Sequence, residues 1–347
     1  MYRALTKPPR LQVGDTVATV SLSWGGAGDD AIRWRYEQGK ERLESIFGLR
    51  VREMPHTLAD PEYVASNPQA RADDLMQAFA DSEIKAIIAC IGGEDSIRML
   101  PYIDFDIIRN NPKIFMGYSD STITHYMCFA AGLSSVYGPA VLTDFAENVA
   151  MPQYTVDNLR RTLFSTEPIG EIKTSEQWTA QRLEWSDEGT RNTAREFQKN
   201  TGYMKINGKG RAKGHLIGGC ADVMEFIKGT KLFPPLEAFD GAILFLETSE
   251  AMVAPYNLRW WLYNYAAMGV LDRISGMIWG KPQNGQYINE YADEIRSVLY
   301  QYGHADMPVL GNASFGHNEP KCCMPIGAEA VIDCDTLTFE ITESAVK

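Results

Sequence analysis

Residues 84–91 (Ile-Lys-Ala-Ile-Ile-Ala-Cys-Ile) form a strongly apolar run that ends on Gly92-Gly93, and a helical segment with Arg71, Leu75, Met76 and Phe79 precedes it. The order repeats. Residues 15–22 read as a strand closed by Gly25-Gly26-Ala27-Gly28, then a helix to about Ile46 that Asp29 or Asp30 can cap, then a strand at 49–54. A short helix over 96–100 and a polar connector through Asn111 lead to a strand at 113–116 and a helix at 122–131, with another strand and turn at 136–140. Strands alternating with helices predict a parallel sheet covered on both faces, whose ligands collect at the carboxyl ends of the strands.

The second half begins again at Leu216-Ile217-Gly218-Gly219-Cys220 with a helix to about Lys228. Strands follow at 241–246, 274–279 and 309–315, with an aromatic-rich helix over 256–268, and the tail at 328–341 alternates as antiparallel strands do. Residues 165–213 differ: they are polar and carry Trp178 and Trp185, then Lys205, Lys209, Arg211 and Lys213 among glycines. The expected division is therefore 1–164, a Rossmann-like domain; 165–213, a linker with a long binding loop; and 214–347, a smaller β-rich domain.

A chain of 347 residues with 45% hydrophobic content can bury one large or two ordinary cores. Its formal charge of -12 argues against a nucleic-acid polymer as partner. Residues 1–10 carry Arg3, Lys7 and Arg10 but no signal-peptide core, and no stretch reaches the roughly 18 apolar residues of a membrane span. A soluble cytoplasmic protein is expected. The six cysteines include no C-x-x-C pair and read as buried thiols, and the five histidines show no metal-ligand spacing, so neither a metal nor another cofactor is expected. The glycines at 25–28 lack G-x-G-x-x-G spacing and read as a turn lining a cleft.

Three chemically capable residues fall at predicted strand ends: Ser119 in Gly117-Tyr118-Ser119-Asp120-Ser121, Glu247 after Leu244-Phe245-Leu246, and His317 in Phe315-Gly316-His317. A strand–turn–helix holding a serine is the setting of a nucleophile elbow, although Ser121 stands where G-x-S-x-G has its second glycine. A serine hydroxyl needs a base, and an imidazole serves best when a carboxylate orients it. The plain alternatives are a helix cap for Ser119, a turn for His317 and a salt bridge for Glu247.

Taken together with the spacing of Gly92-Gly93, Arg98, Leu100 and Pro101, and with Tyr137-Gly138-Pro139 and Leu216-Ile217-Gly218-Gly219, these motifs make the chain resemble the LD-carboxypeptidase family of serine peptidases, in particular its microcin C self-immunity branch. The resemblance implies an α/β Rossmann-like domain, a smaller β-rich domain and a site between them. It also implies Ser119 as nucleophile, His317 as general base and acid, Glu247 as orienting carboxylate, an oxyanion hole from the N–H groups of Gly93 and Asp120, and a homodimer. Cys220 stands where the family usually has Asn.

In that branch the substrate is a peptidyl- or aminoacyl-nucleotide; murein LD-carboxypeptidases instead release a terminal D-amino acid. Trp178 and Trp185 favour the nucleotide, since an indole can stack on a purine. Gly92 beside the serine, and Lys281 with the basic cluster for a phosphate or carboxylate, complete the expected contacts. A non-catalytic two-lobed binding protein is the alternative of another class.

Overall fold

The computed structural model describes residues 4–347; Arg3, counted above among the basic residues of the amino-terminal stretch, lies outside them. In the first half, strands β1 (Thr16–Val20), β2 (Arg50–Glu53), β3 (Ile84–Ala89), β4 (Ile114–Gly117) and β5 (Val136–Tyr137) alternate with helices. The helices are α1 (Arg33–Ser45), α2 (Pro61–Ser66), α3 (Pro68–Ala80), α4 (Phe105–Asn110) and α5 (Thr122–Ala131), with α6 (Gln153–Leu163) after β5. Pro68 opens α3 at a position where its missing N–H costs nothing, and the buried Ala72, Leu75, Met76 and Phe79 recur along one face. Gly132, at φ 83°, closes α5 in the left-handed conformation that glycine adopts freely.

The remaining strands are β6 (Gly170–Glu171), β7 (Gln177–Trp178), β8 (Gln198–Lys199), β9 (Met204–Asn207), β10 (Arg211–Cys220), β11 (Ile243–Glu247), β12 (Gly276–Gly280), β13 (Val309–Ala313), β14 (Met324–Pro325), β15 (Glu329–Asp333) and β16 (Thr338–Ile341). Helices α7 (Ala221–Ile227), α8 (Pro255–Ala267) and α9 (Ile288–Gln301) lie among them. One sheet runs β14-β5-β4-β3-β1-β2 and a second runs β6-β16-β15-β10-β11-β12-β13-β9. The strands β2-β1-β3-β4-β5 and β10-β11-β12-β13 are parallel, and the outer pairs of the second sheet are antiparallel. This is the mixed α/β architecture expected. β14 is the crossing element: it pairs antiparallel with β5, so the late chain returns to the first sheet.

The central strands of both sheets are buried on both faces, which is why β3 and β11 read as apolar runs rather than alternations. Ile87 and Ala89 of β3 face the same core as Leu244 and Leu246 of β11, with Leu75, Phe79, Tyr126 and Ile295 from the helices. Ile88, Ile243 and Phe245 face the other, with Tyr36 and Leu43. Each core thus continues from one sheet to the next.

Three local expectations are corrected. Helix α1 has Ile32 at its N-cap; the Asp29 carboxylate instead accepts from Ala31 N–H in the turn ahead of it. The connector before Asn111 contains α4, whose start is capped by the Asp104 carboxylate accepting from Asp106 and Ile107 N–H. Rather than lining the cleft, Gly28 packs against the segment before α2 and Gly25 against α2 itself: a Cβ on Gly28 would lie 1.8 Å from Ala59 O, and one on Gly25 would lie 2.8 Å from Pro61 Cα. In addition, the polar stretch 165–213 supplies β6 and β9 at the two edges of the second sheet. Among the described residues no helix is long and apolar enough to cross a membrane.

Close packing of β10 on β11 sets one prediction. Gly218 has φ +154° and a Cβ there would sit 1.7 Å from Phe245 O. Gly218→Ala is expected to destabilise the fold by more than the ~3 kcal/mol that bounds most substitutions, read as a fall in urea midpoint with little change in m value.

Candidate active site

Four parallel strands deliver the site. β3 ends before Gly92, β4 before Ser119, β11 on Glu247 and β13 before His317. Ser119 sits at φ 61°, a left-handed conformation that costs a non-glycine residue about 1–3 kcal/mol and is held by its surroundings. Its N–H donates to the Tyr137 hydroxyl at 3.0 Å, and its carbonyl accepts from Thr122 Oγ1 at 2.7 Å. The following residue is tied down as well: Ser96 donates to Asp120 twice, from N–H to Oδ2 at 2.9 Å and from Oγ to the carbonyl at 3.0 Å. Beneath the turn, His125 Nε2 lies 2.9 Å from Gly117 O, and burial lowers its pKa to about 4, so the ring is neutral and donates to that carbonyl.

His317 Nε2 lies 3.1 Å from Ser119 Oγ, and its Nδ1 lies 2.8 Å from Glu247 Oε2. Glu247 is fully buried, and its other oxygen, Oε1, accepts from the Tyr137 hydroxyl. Gly316 and Gly280 make room for this carboxylate: Cβ atoms there would lie 2.5 Å from Glu247 Oε2 and 2.7 Å from Glu247 Cβ. Burial opposes a charged imidazole, but Glu247, and after it Glu250, outweigh burial and push the His317 pKa up to about 10. Glu250 Oε2 is 2.8 Å from His317 Nε2.

The glycine pair closes the other side. A Cβ on Gly92 would lie 2.8 Å from Ser119 Cβ, 3.0 Å from its Oγ and 3.2 Å from Asp120 N. The missing side chain therefore leaves open the volume beside the hydroxyl and the Asp120 N–H. Gly93, at φ +144°, packs on Ser23 and Trp24, and Trp24 N–H donates to Gly92 O.

These groups open into a cleft of about 1020 Å³ whose far wall includes Arg182 and Trp185. Arg35 lies over the Trp185 ring at 4.4 Å, and Trp34 Nε1–H donates to Trp185 O at 2.8 Å. The loop carrying His317 is anchored by a buried charge cluster. Lys321 pairs with Asp144 at 2.9 Å and Glu319 at 2.8 Å, and Arg195 bridges Glu319 and Glu147. Lys321 Nζ also lies 4.3 Å over the Tyr118 ring, which meets His317 edge-on at 5.1 Å.

The structure thus brings Ser119, Glu247, His317, Gly92, Gly93, Asp120 and Trp185 to one place, but two sequence candidates lie elsewhere. Trp178 and Lys281 do not line the cleft: Lys281 is buried, its ammonium 3.2 Å from Asn200 Oδ1 and hydrogen-bonded to Asn312, and it lies 4.4 Å over the Trp178 ring. They fasten the 178–200 loop instead of facing a ligand. Of the basic cluster, Lys209, Arg211 and Lys213 pair with Asp306, Asp333 and Glu329. Cys220, where the family's usual Asn would be, is fully buried with its Sγ 3.7 Å from Asp222 Oδ2. No local sequence signal singles out Glu250 or Lys321, and Tyr137 stands out in the sequence only within Tyr137-Gly138-Pro139. Among the described residues no group of His, Cys, Asp and Glu could hold a metal ion.

Comparison with known proteins follows the same outline. A family model for the LD-carboxypeptidase N-terminal domain matches residues 17–138, and one for the LD-carboxypeptidase C-terminal domain matches residues 213–332. The microcin C7 self-immunity protein MccF of Escherichia coli is 26% identical over 96% of this chain and 94% of its own. A structure of MccF with aspartyl sulfamoyl adenosine superposes with a TM-score of 0.86 over 99% of this chain and all (100%) of that one. An MccF-like protein from Streptococcus pneumoniae in complex with AMP is 31% identical, with a TM-score of 0.85 over 94% of this chain and 98% of that one. A probable murein peptide carboxypeptidase of Bacillus subtilis is 27% identical over 98% of this chain and 97% of its own.

Tyr137→Phe strips one hydroxyl from both Glu247 and the Ser119 N–H. Leaving buried polar groups unpaired is expected to cost about 1–3 kcal/mol, measured by chemical denaturation against wild type.

Proposed function

Since the chain belongs to the LD-carboxypeptidase family of serine peptidases, we propose that it hydrolyses an amide through Ser119, His317 and Glu247, and that its substrates are peptidyl- or aminoacyl-nucleotides of the microcin C type. The observation that carries the reading is the position of the His317 ring, between the Glu247 carboxylate and the Ser119 hydroxyl, in a cleft that also holds Trp185.

In this reaction Ser119 Oγ attacks the amide carbonyl carbon while His317 Nε2 takes its proton. Glu247 keeps the other ring proton on Nδ1 and stabilises the imidazolium. The oxyanion is received by the N–H groups of Asp120 and Gly93, in the space that glycine at 92 keeps open; one such donor is worth about 2.7–4 kcal/mol of transition-state stabilisation. His317 returns the proton to the leaving nitrogen, and water, deprotonated by the same ring, releases the acyl group from Ser119.

Trp185 supports the nucleotide reading. One face of its indole is backed by Arg35, which leaves a braced aromatic platform on the cleft wall for a base. MccF and its Streptococcus pneumoniae counterpart have been captured with aspartyl sulfamoyl adenosine and with AMP, and we carry that ligand class to this chain. A homodimer and a cytoplasmic location complete the proposal.

Ser119→Ala is expected to lower hydrolysis of an aminoacyl sulfamoyl adenosine by on the order of 10⁴–10⁶-fold; unchanged turnover in purified protein would exclude the mechanism. Trp185→Ala is expected to lose about 1–3 kcal/mol of stacking, about 5–150-fold in kcat/KM, on the aminoacyl nucleoside and little on a murein tetrapeptide. Equal losses on both count against stacking, and a clear wild-type preference for the tetrapeptide puts the murein reaction in its place.

A further inference from the structure

Glu250 lies on the loop that leaves β11, three residues beyond Glu247, with its side chain about half exposed. Its Oε2 approaches His317 Nε2 to 2.8 Å, closer than Ser119 Oγ at 3.1 Å, on the very nitrogen that must take the serine proton. The opposite ring nitrogen faces Glu247 Oε2, also at 2.8 Å. A carboxylate oxygen 2.8 Å from each nitrogen favours the doubly protonated ring, because two neighbouring negative charges stabilise the imidazolium. A doubly protonated imidazole has no lone pair for Ser119. In this arrangement Glu250 pairs with the imidazolium charge at Nε2, and the hydroxyl is left without its base.

A second partner is within reach. Arg182 Nη2 lies 4.0 Å from Glu250 Oε1, and it belongs to the same cleft-lining segment as Trp185, three residues earlier. The other groups around the ring are Ser119 and the Tyr118 edge from the turn after β4. Lys321 lies beyond Tyr118, paired with Asp144 and Glu319, and Glu319 is shared with Arg195. None of these offers His317 Nε2 another carboxylate at hydrogen-bond distance.

Resting on the assignment of Ser119 and His317 given above, we propose that Glu250 is a latch: on His317 it holds the ring doubly protonated and Ser119 unreactive, and substrate binding moves it onto Arg182. When the carboxylate leaves, the Nε2 proton passes to water. The freed lone pair then faces Ser119 O–H and can accept that proton as Oγ attacks. Substrate engagement of the Trp185 segment and arming of the base become one event, because Arg182 and Trp185 belong to the same short cleft-lining segment. Glu250 acts through His317 and is a positioning residue.

The test combines histidine-resolved ¹⁵N NMR of the purified protein with pH profiles of kcat/KM on an aminoacyl sulfamoyl adenosine. In wild type the His317 ring is expected to remain doubly protonated above pH 8. In Glu250→Gln its titration and the acid limb of kcat/KM are both expected to fall by about one pH unit or more. In Arg182→Gln the acid limb is expected to move up, the latch having lost its alternative partner. A wild-type ring that is neutral at pH 7 overturns the proposal, as does an acid limb in Glu250→Gln that coincides with wild type. If Ser119→Ala abolishes hydrolysis while either result is obtained, only the latch fails; if Ser119→Ala is fully active, the assignment beneath it fails too.

Discussion

The carboxylate of Glu247 is the charge around which this molecule is arranged. An isolated carboxylate taken out of water costs several kcal/mol even after the protein relaxes around it, and Glu247 has no exposure at all. It is met by two directed donors, the Tyr137 hydroxyl and the Nδ1–H of His317. Each donor is itself fixed: Tyr137 by its place in β5 and by the Ser119 N–H donating to it, His317 by the loop that Lys321 anchors. Compensating one buried anion therefore aligns the serine backbone and the imidazole from two different sheets.

The same logic explains the cluster below the cleft. Lys321, Asp144, Glu319, Arg195 and Glu147 are a largely buried chain of alternating charges. A buried ion pair is weak grounds for extra stability, but removing one member of such a chain leaves its neighbours uncompensated. Its members come from the segment after β5, the 181–195 loop and the segment after His317, so their mutual neutralisation sets where those three segments meet. That meeting point is the floor under Tyr118 and His317.

Much of the fold was legible because burial on both faces writes itself into a strand as an unbroken apolar run, as in β3 and β11, and because the residue that ends such a run stands at a sheet edge. Ser119 and Glu247 were readable for that reason, and His317 through the Phe315-Gly316-His317 motif after β13. Helix α4 was not, since six residues carry too little periodicity to stand out, and only Asp104 marked its start. Glu250 and Tyr137 become meaningful through contacts with His317 and Glu247 across 67 and 110 positions of chain, and no local pattern encodes those. Trp178 and Lys281 misled for the opposite reason: an aromatic and a cation look like ligand contacts in a sequence, whereas here they satisfy each other behind the cleft wall.

The return of β14 to pair with β5 has a consequence for how this architecture can vary. His317 is followed within a few residues by a strand hydrogen-bonded to the sheet that presents Ser119. The carboxyl-terminal half is thereby stitched into its neighbour close to the reacting atoms, and breathing between the lobes leaves the serine–imidazole spacing anchored on one framework. Inheritance is constrained likewise: the halves cannot be traded as free-standing cassettes, because whichever half supplies the histidine must also bring an edge that fits the other's outermost strand.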